Sequence, residues 1–289
     1  MKSKIVPIRN IKGKTAYNPT VPFCDSGKTY IGIRIESLDS ELDSRIFFAY
    51  KLNENEWEID DTVTPLQLQD PAYVKVKGEI FILGVRVEKC ENGIIWNQDI
   101  YRGDSIRNLE FFASGPVGMK DIRLVDLEDR IGVFTRPQEK ISGLCKIGYL
   151  EISRIDELQR FTENDWYNVN IINGLFEDGS WGGVNQAIKL SDEEIGVIGH
   201  KAHKTTTEVD LKKHYYAVSF RFNPKTSVYS DLRILARRAD FPYSPSKRSP
   251  ELDDIIFPGG IDEHSNLYCG LSDYCIGIKE IEHPFNLQI

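Results

Sequence analysis

Five dipeptides in this chain each stand just before an apolar run: Asn18-Pro19, Asp70-Pro71, Lys120-Asp121, Asn185-Gln186 and Phe257-Pro258. Arg34, Arg136, His200 and Asp273 close the runs that follow. Such a set could do chemistry together. A carboxyl can pass a proton to a leaving oxygen, cations can hold a polyanion, and amides and acids can bind hydroxyls. Taken singly, each residue also has an ordinary reading. Asp70 could cap a strand, Lys120 with Asp121 could be an internal ion pair, Arg34 and Arg136 could bridge neighbouring elements, and Asp273 could be a turn acid. The chemistry requires the chain to bring them to one place.

The elements around them suggest how. In LQLQDPAYVKVKGEIFILG, Leu66 to Gly84, Val74 and Val76 alternate with lysines, Gly78 turns the chain, and Ile80 to Leu83 runs back as a nearly all-apolar strand. The pattern recurs at Val21–Arg34, Ala72–Val87, Ile122–Pro137, Ala187–His200 and Gly260–Asp273. Turn centres lie near positions 27, 78, 129, 193 and 264, at spacings of roughly 50 to 70 residues that suit propeller blades. Further strand-like sequence lies between them, as in SRIFFAYKLNENEWEI and HYYAVSFRF. The expectation is an all-β, five-bladed β-propeller with a central axial funnel, formed by residues 1–289 as one domain. Two stacked β-sandwiches are the alternative. Helix is expected only in SRIDELQR, Ser153 to Arg160, and a proline-rich loop at Tyr243 to Pro250.

Composition narrows the class. The chain has 289 residues, 44 acidic against 36 basic, and a net charge of −8. That argues against a nucleic-acid partner, since phosphate backbones are bound by clustered Lys and Arg. No apolar run follows the N-terminal lysines as in a signal peptide, and none is long enough to span a membrane. Cys24, Cys90, Cys145, Cys269 and Cys275 lack a C-x-x-C pair, which reads as reduced thiols of a cytoplasmic protein without a structural zinc. His200 and His203 fall three apart on a strand and so on opposite faces, so no metal is expected there. SGKT, Ser26 to Thr29, has Pro22 where a phosphate loop needs its first glycine. Among Trp57, Trp96, Trp166 and Trp181, core is the first expectation, and Trp181 before Gly182-Gly183 is the best candidate for a sugar platform.

The same positions carry a family resemblance. Gln69-Asp70-Pro71-Ala72 resembles the Glu-Asp-Pro-Arg element of glycoside hydrolase family 130, the β-mannoside phosphorylases and hydrolases, which are five-bladed propellers. Lys120-Asp121 with Thr135-Arg136-Pro137, Ile198-Gly199-His200, FPGG from Phe257 and YCGLSDYCIG from Tyr268 also resemble its motifs, in order, as do Asn18-Pro19 and Arg34. GMKDIRLVDLEDRIGVFTRP resembles still more closely a related family, domain of unknown function 1861.

The resemblance implies inverting cleavage of a β-glycoside, with Asp70 as general acid. Arg34, Lys120 and Arg136 would hold phosphate, a co-substrate rather than a resident cofactor. Asn18, Asp121, His200 and Asp273 would bind the sugar. Crowding with other acids in a partly dehydrated funnel should let Asp70 keep a proton near neutral pH. Two departures weigh against phosphate: Ala72 replaces the family's arginine and Thr135 its histidine. Hydrolysis, with Asp121 or Asp273 as base, and a non-catalytic carbohydrate-binding or scaffold propeller therefore stay open. A homo-oligomer stays open as well.

Overall fold

A computed structural model describes residues 2–91, 93–137, 145–207 and 210–285. Strands dominate it. Helix among these residues is confined to a 3-10 turn at Ile155–Arg160, a five-residue helix at Glu163–Tyr167 and a 3-10 turn at Arg238–Asp240. The short helix expected from Ser153 thus begins later, with Arg154 as its N-cap. No helix among the described residues is long and apolar enough to cross a membrane.

Each expected hairpin forms. Asp25 pairs with Lys28, Val76 with Glu79, Asp126 with Ile131, Ser191 with Glu194 and Ile261 with Leu267. Among the described residues the strands add up to four hydrogen-bonded sheets. The largest has eight strands and divides naturally where His214–Tyr215 and Asp254–Ile255 make a two-residue parallel join. Divided there, the strands of the described residues form five groups, antiparallel except where Ile8–Arg9 pairs parallel with Glu56–Ile59. Their innermost strands are Thr15–Pro19, Gln69–Val76, Arg123–Asp126, Trp181–Ser191 and Asp254–Ile261. Each packs beside the next, and the last returns to the first. Strand Ser3–Val6 pairs antiparallel with Cys275–Glu280, so the start of the chain completes the final group. This is the all-β propeller that the hairpins imply.

The all-apolar returning strands now have a cause. Successive side chains of a strand point to opposite faces, and here both faces are covered by neighbouring groups. Ile80 and Ile82 pack with Tyr30, Ile46 and Phe48 on one side. Phe81 and Leu83 pack with Phe112, Leu124 and Val133 on the other. Ile31, Ile33 and Ile35 likewise face Tyr268 and Ile276, while Tyr30 faces the opposite way. Trp57 and Trp166 are core, each 2% exposed.

The innermost strands carry a second regularity. Register shifts fall between Tyr17 and Pro19, Gln69 and Ala72, Val184 and Gln186, and Pro258 and Gly260. Such bulges re-aim a side chain near a sheet end. Asn18, Asp70 and Asp121 have φ of 47°, 48° and 59°, a left-handed conformation that Asn and Asp tolerate better than most residues. Local backbone geometry therefore helps choose the residue type as well as its direction.

Candidate active site

Asp70 is aimed at a cation. Arg34 Nη1 donates to its Oδ1 at 3.0 Å and Asn18 Nδ2 donates to the same oxygen at 2.8 Å. Arg34 sits two residues before Glu36 on strand Lys28–Glu36, so both point the same way. Its Nε and Nη2 donate to Glu36 Oε2 at 2.9 and 2.8 Å. Tyr17, whose ring lies 5.0 Å from the guanidinium, donates its hydroxyl to Glu36 Oε1, as does the Lys247 ammonium. Asn18 thus positions Asp70, with its own Oδ1 turned to Gly270, where a Cβ would sit 1.9 Å away.

A second cluster surrounds Asp121. Arg136 Nη1 lies 2.6 Å from its Oδ2, Arg123 Nη2 lies 3.8 Å from Oδ1, and His200 Nε2 lies 3.9 Å from Oδ2. The His200 ring hydrogen-bonds through Nδ1 to Asn185 Oδ1 at 2.9 Å and leans on Phe257 and Tyr215. Gly183 has to be glycine, because a Cβ there would lie 2.7 Å from Asp121 Oδ2. Asp121 thus pairs with Arg136, whereas the sequence suggested its neighbour Lys120 as the partner.

Lys120 lies between the clusters. Among the described residues it has no ion-pair partner within 4.0 Å. Its ammonium is pushed down by burial and by Arg136, with Asp121 and Asp70 pulling the other way. It lines one cavity with Asp70, about 490 Å³ in volume, whose outer wall includes Glu41, Val87, Trp96 and Arg248.

The carboxyls are set apart electrostatically. Burial pushes Asp70 up, but Arg34, Lys120 and Asn18 outweigh it and bring the carboxyl below its ordinary range. The expectation that Asp70 keeps a proton near neutral pH is therefore overturned, because the charges that dominate around it are cations. Asp273 behaves in the opposite way. Burial, reinforced by Asp70 and Glu36 against the pull of Arg34, raises it to about 6. Burial also raises Asp121, but Arg136, His200, Arg123 and Lys120 together hold it well below the usual range. His200 is lowered chiefly by burial, to about 3, and is neutral at physiological pH.

Asp70, Lys120, Arg136 and Asp273 therefore lie within electrostatic reach of one another rather than dispersing over unrelated faces, and of the four Asp70 and Lys120 line the cavity. Asn18, Arg34, Asp121 and His200 join them. Trp181 does not serve as the open platform expected of it. It is 9% exposed, packs edge-on against Tyr215, and has Lys204 over its ring. The aromatic side chain that does line the cavity is Trp96, held by its Nε1 to the Gly118 carbonyl at 3.2 Å. His203 turns away from His200 and stacks on His214 at 4.6 Å. Of the two departures from the family pattern, Ala72 is 4% exposed and Thr135 1%, with the Thr135 hydroxyl unpartnered among the described residues.

Sequence reading missed Tyr17, Glu36, Arg123 and Lys247. The Arg34-x-Glu36 spacing was an available signal; nothing near Lys247 was.

A family model described as "Protein of unknown function (DUF1861)" matches residues 1–287. No curated protein matches the sequence. Among solved structures, a mannose phosphorylase from Leishmania mexicana, in complex with a phosphate ion, is 30% identical with a TM-score of 0.90, the match covering 99% of this chain and 90% of that one. A GDP-Man-dependent mannosyltransferase from the same organism is 31% identical with a TM-score of 0.90, covering 100% and 91%. A β-1,2-mannobiose phosphorylase from Listeria innocua shares the fold at 14% identity, with a TM-score of 0.66 and 97% of each chain covered.

Proposed function

The chain belongs to the DUF1861 family, and on that premise we propose that its hollow carries out inverting phosphorolysis of a β-mannoside. The observation that carries this reading is the Lys120 ammonium. It faces the cavity that Asp70 lines, has no carboxylate paired to it among the described residues, and is flanked electrostatically by Arg34 and Arg136. An unpaired cation beside two guanidiniums suits a dianion. The similarity to a mannose phosphorylase that holds a phosphate ion supports the same anion.

In the proposed step a phosphate oxygen forms a bond to the anomeric carbon while the bond to the leaving oxygen breaks on the opposite face. Asp70 gives its proton to that oxygen, directly or through a sugar hydroxyl. Its lowered proton affinity is consistent with this role. Phosphate arriving on Arg34 and Lys120 offsets the two charges that hold the Asp70 carboxyl down, so anion binding raises its proton affinity. Asp273 and His200 accept hydrogen bonds from sugar hydroxyls, and Asp121 keeps Arg136 in place.

Two specific observations favour other readings. The mannosyltransferase is as similar as the phosphorylase, which favours glycosyl transfer from a nucleotide sugar. Asp273 is the carboxyl that titrates near 6, which favours it as the acid. The deciding experiment incubates β-mannosides with and without inorganic phosphate, and GDP-mannose with mannose as acceptor, following products by NMR. Phosphate-dependent formation of α-mannose 1-phosphate is expected. Asp70→Asn should lower that rate by about 10²–10⁴-fold, the span of one general acid. Hydrolysis without phosphate, transfer from GDP-mannose alone, or an unimpaired Asp70→Asn protein would each overturn the assignment.

A further inference from the structure

We propose that Lys247 sets the anion-binding strength of the hollow by neutralising Glu36, which leaves the charge of Arg34 available to Asp70 and the bound anion. This inference rests on the reading that the hollow takes phosphate, and it assigns a positioning role to a residue outside every motif considered above.

The argument is one of charge balance. Glu36 has no exposed surface, and it takes two donors of the Arg34 fork on Oε2. With Arg34 alone, one guanidinium would serve two carboxylates, Glu36 and Asp70, and the group would carry a net negative charge at the place where an anion must bind. Lys247 supplies the second cation. Its side chain is 4% exposed, and its ammonium meets Glu36 Oε1 and the Ser40 carbonyl, the latter at 3.3 Å. The Tyr17 hydroxyl completes the shell around Glu36 without adding charge, since burial keeps the phenol protonated.

The lysine arrives on the proline-rich loop, and the loop is built to deliver it. The Lys247 N–H donates to the Ser272 carbonyl at 3.0 Å, one residue before Asp273. Arg238 donates to the Pro242 carbonyl, Ser244 Oγ and Ser272 Oγ at 3.0, 2.8 and 3.0 Å. The neighbouring Arg248 faces the cavity itself. The loop between Asp240 and Asp254 thus puts Arg248 on the cavity wall and the Lys247 ammonium on the buried Glu36. A lysine that only fastened the loop would need neither a wholly buried carboxylate nor one shared with the site arginine.

Isothermal titration with inorganic phosphate at pH 7 separates these roles, using wild type, Lys247→Met, Lys247→Arg and the double variant Glu36→Gln/Lys247→Met. Folding is checked by circular dichroism. Lys247→Met should weaken phosphate binding about tenfold, and Lys247→Arg should keep it near wild type. Removing Glu36 as well should restore affinity to within about threefold, because the charge that consumed Arg34 is gone. Wild-type affinity in Lys247→Met, or a folded double variant no better than Lys247→Met, overturns the inference and leaves the phosphorylase reading intact. A wild type that binds no phosphate overturns that reading first and this one with it. If Lys247→Met does not fold, the double variant decides alone: it must bind phosphate nearly as wild type does.

Discussion

Asp70 and Asp273 act on one another electrostatically but hold protons differently, and the difference gives the pH dependence a sign. Asp273 titrates near 6 because burial and the charges of Asp70 and Glu36 favour its neutral form. In the proposed reaction it serves sugar hydroxyls as a charged acceptor, so turnover should fall as pH drops below about 6. If Asp273 were the acid, turnover would fall as pH rose through the same value. Comparing pH–rate profiles of wild type and Asp273→Asn, in which phosphate's own titration is common, tells the two apart. The same group should appear in stability. Its folded pKa lies above its unfolded one, so its contribution is complete below the ordinary carboxylate range and vanishes as pH rises through about 6. Melting of wild type should therefore gain on Asp273→Asn between pH 7 and 5, and a constant difference would refute the raised pKa. At this scale the sequence exposed ionisable positions that the fold draws together, because each precedes or ends a hairpin strand. It could not expose their protonation. That depends on which charges meet across the hollow, and Arg34 reaches Asp70 from 36 residues away.

The elements were legible to the degree that they are buried on both faces. Ile80 to Leu83 reads as unbroken apolar sequence because alternate residues enter two different cores, and the hairpin turns fell where the charged and glycine residues put them. What lies above the sheet was less readable. Strands Glu79–Cys90 and Gly93–Gly103 run past the inner strand Gln69–Val76, and their extension raises Val87 and Trp96 into the cavity wall. Trp181 looked the better platform beside its paired glycines, yet those glycines serve close packing with His200 and Asp121. The extended hairpin should therefore govern affinity more than chemistry. Trp96→Ala should raise KM for a β-mannoside about tenfold, roughly 1.4 kcal/mol, with kcat changed less than threefold. An unchanged KM would remove the hairpin from the binding site.

For the whole molecule, the innermost strands close a ring, and a short strand at the start of the chain sits at its seam. Ser3–Val6 pairs with Cys275–Glu280 in register Ser3 to Lys279 through Val6 to Ile276. Val6 is 3% exposed and packs with Ile31, Trp57 and Ile276, which belong to the first and last groups. This join holds Thr15–Pro19, with Asn18, beside Asp254–Ile261, whose group carries Asp273. A propeller has no free sheet edge at this seam only while the strand stays in place. Val6→Asp buries a carboxylate without a partner there, which should cost about 3–5 kcal/mol. Chemical denaturation should show a lower midpoint with an unchanged slope if the ring opens as part of one cooperative transition. A second, earlier transition confined to the seam would mean that the groups unfold independently, and a midpoint equal to wild type would mean that closure does not depend on this strand. Phosphate should move the variant's midpoint upward, because an anion held by Arg34 and Lys120 from different groups binds only the closed ring.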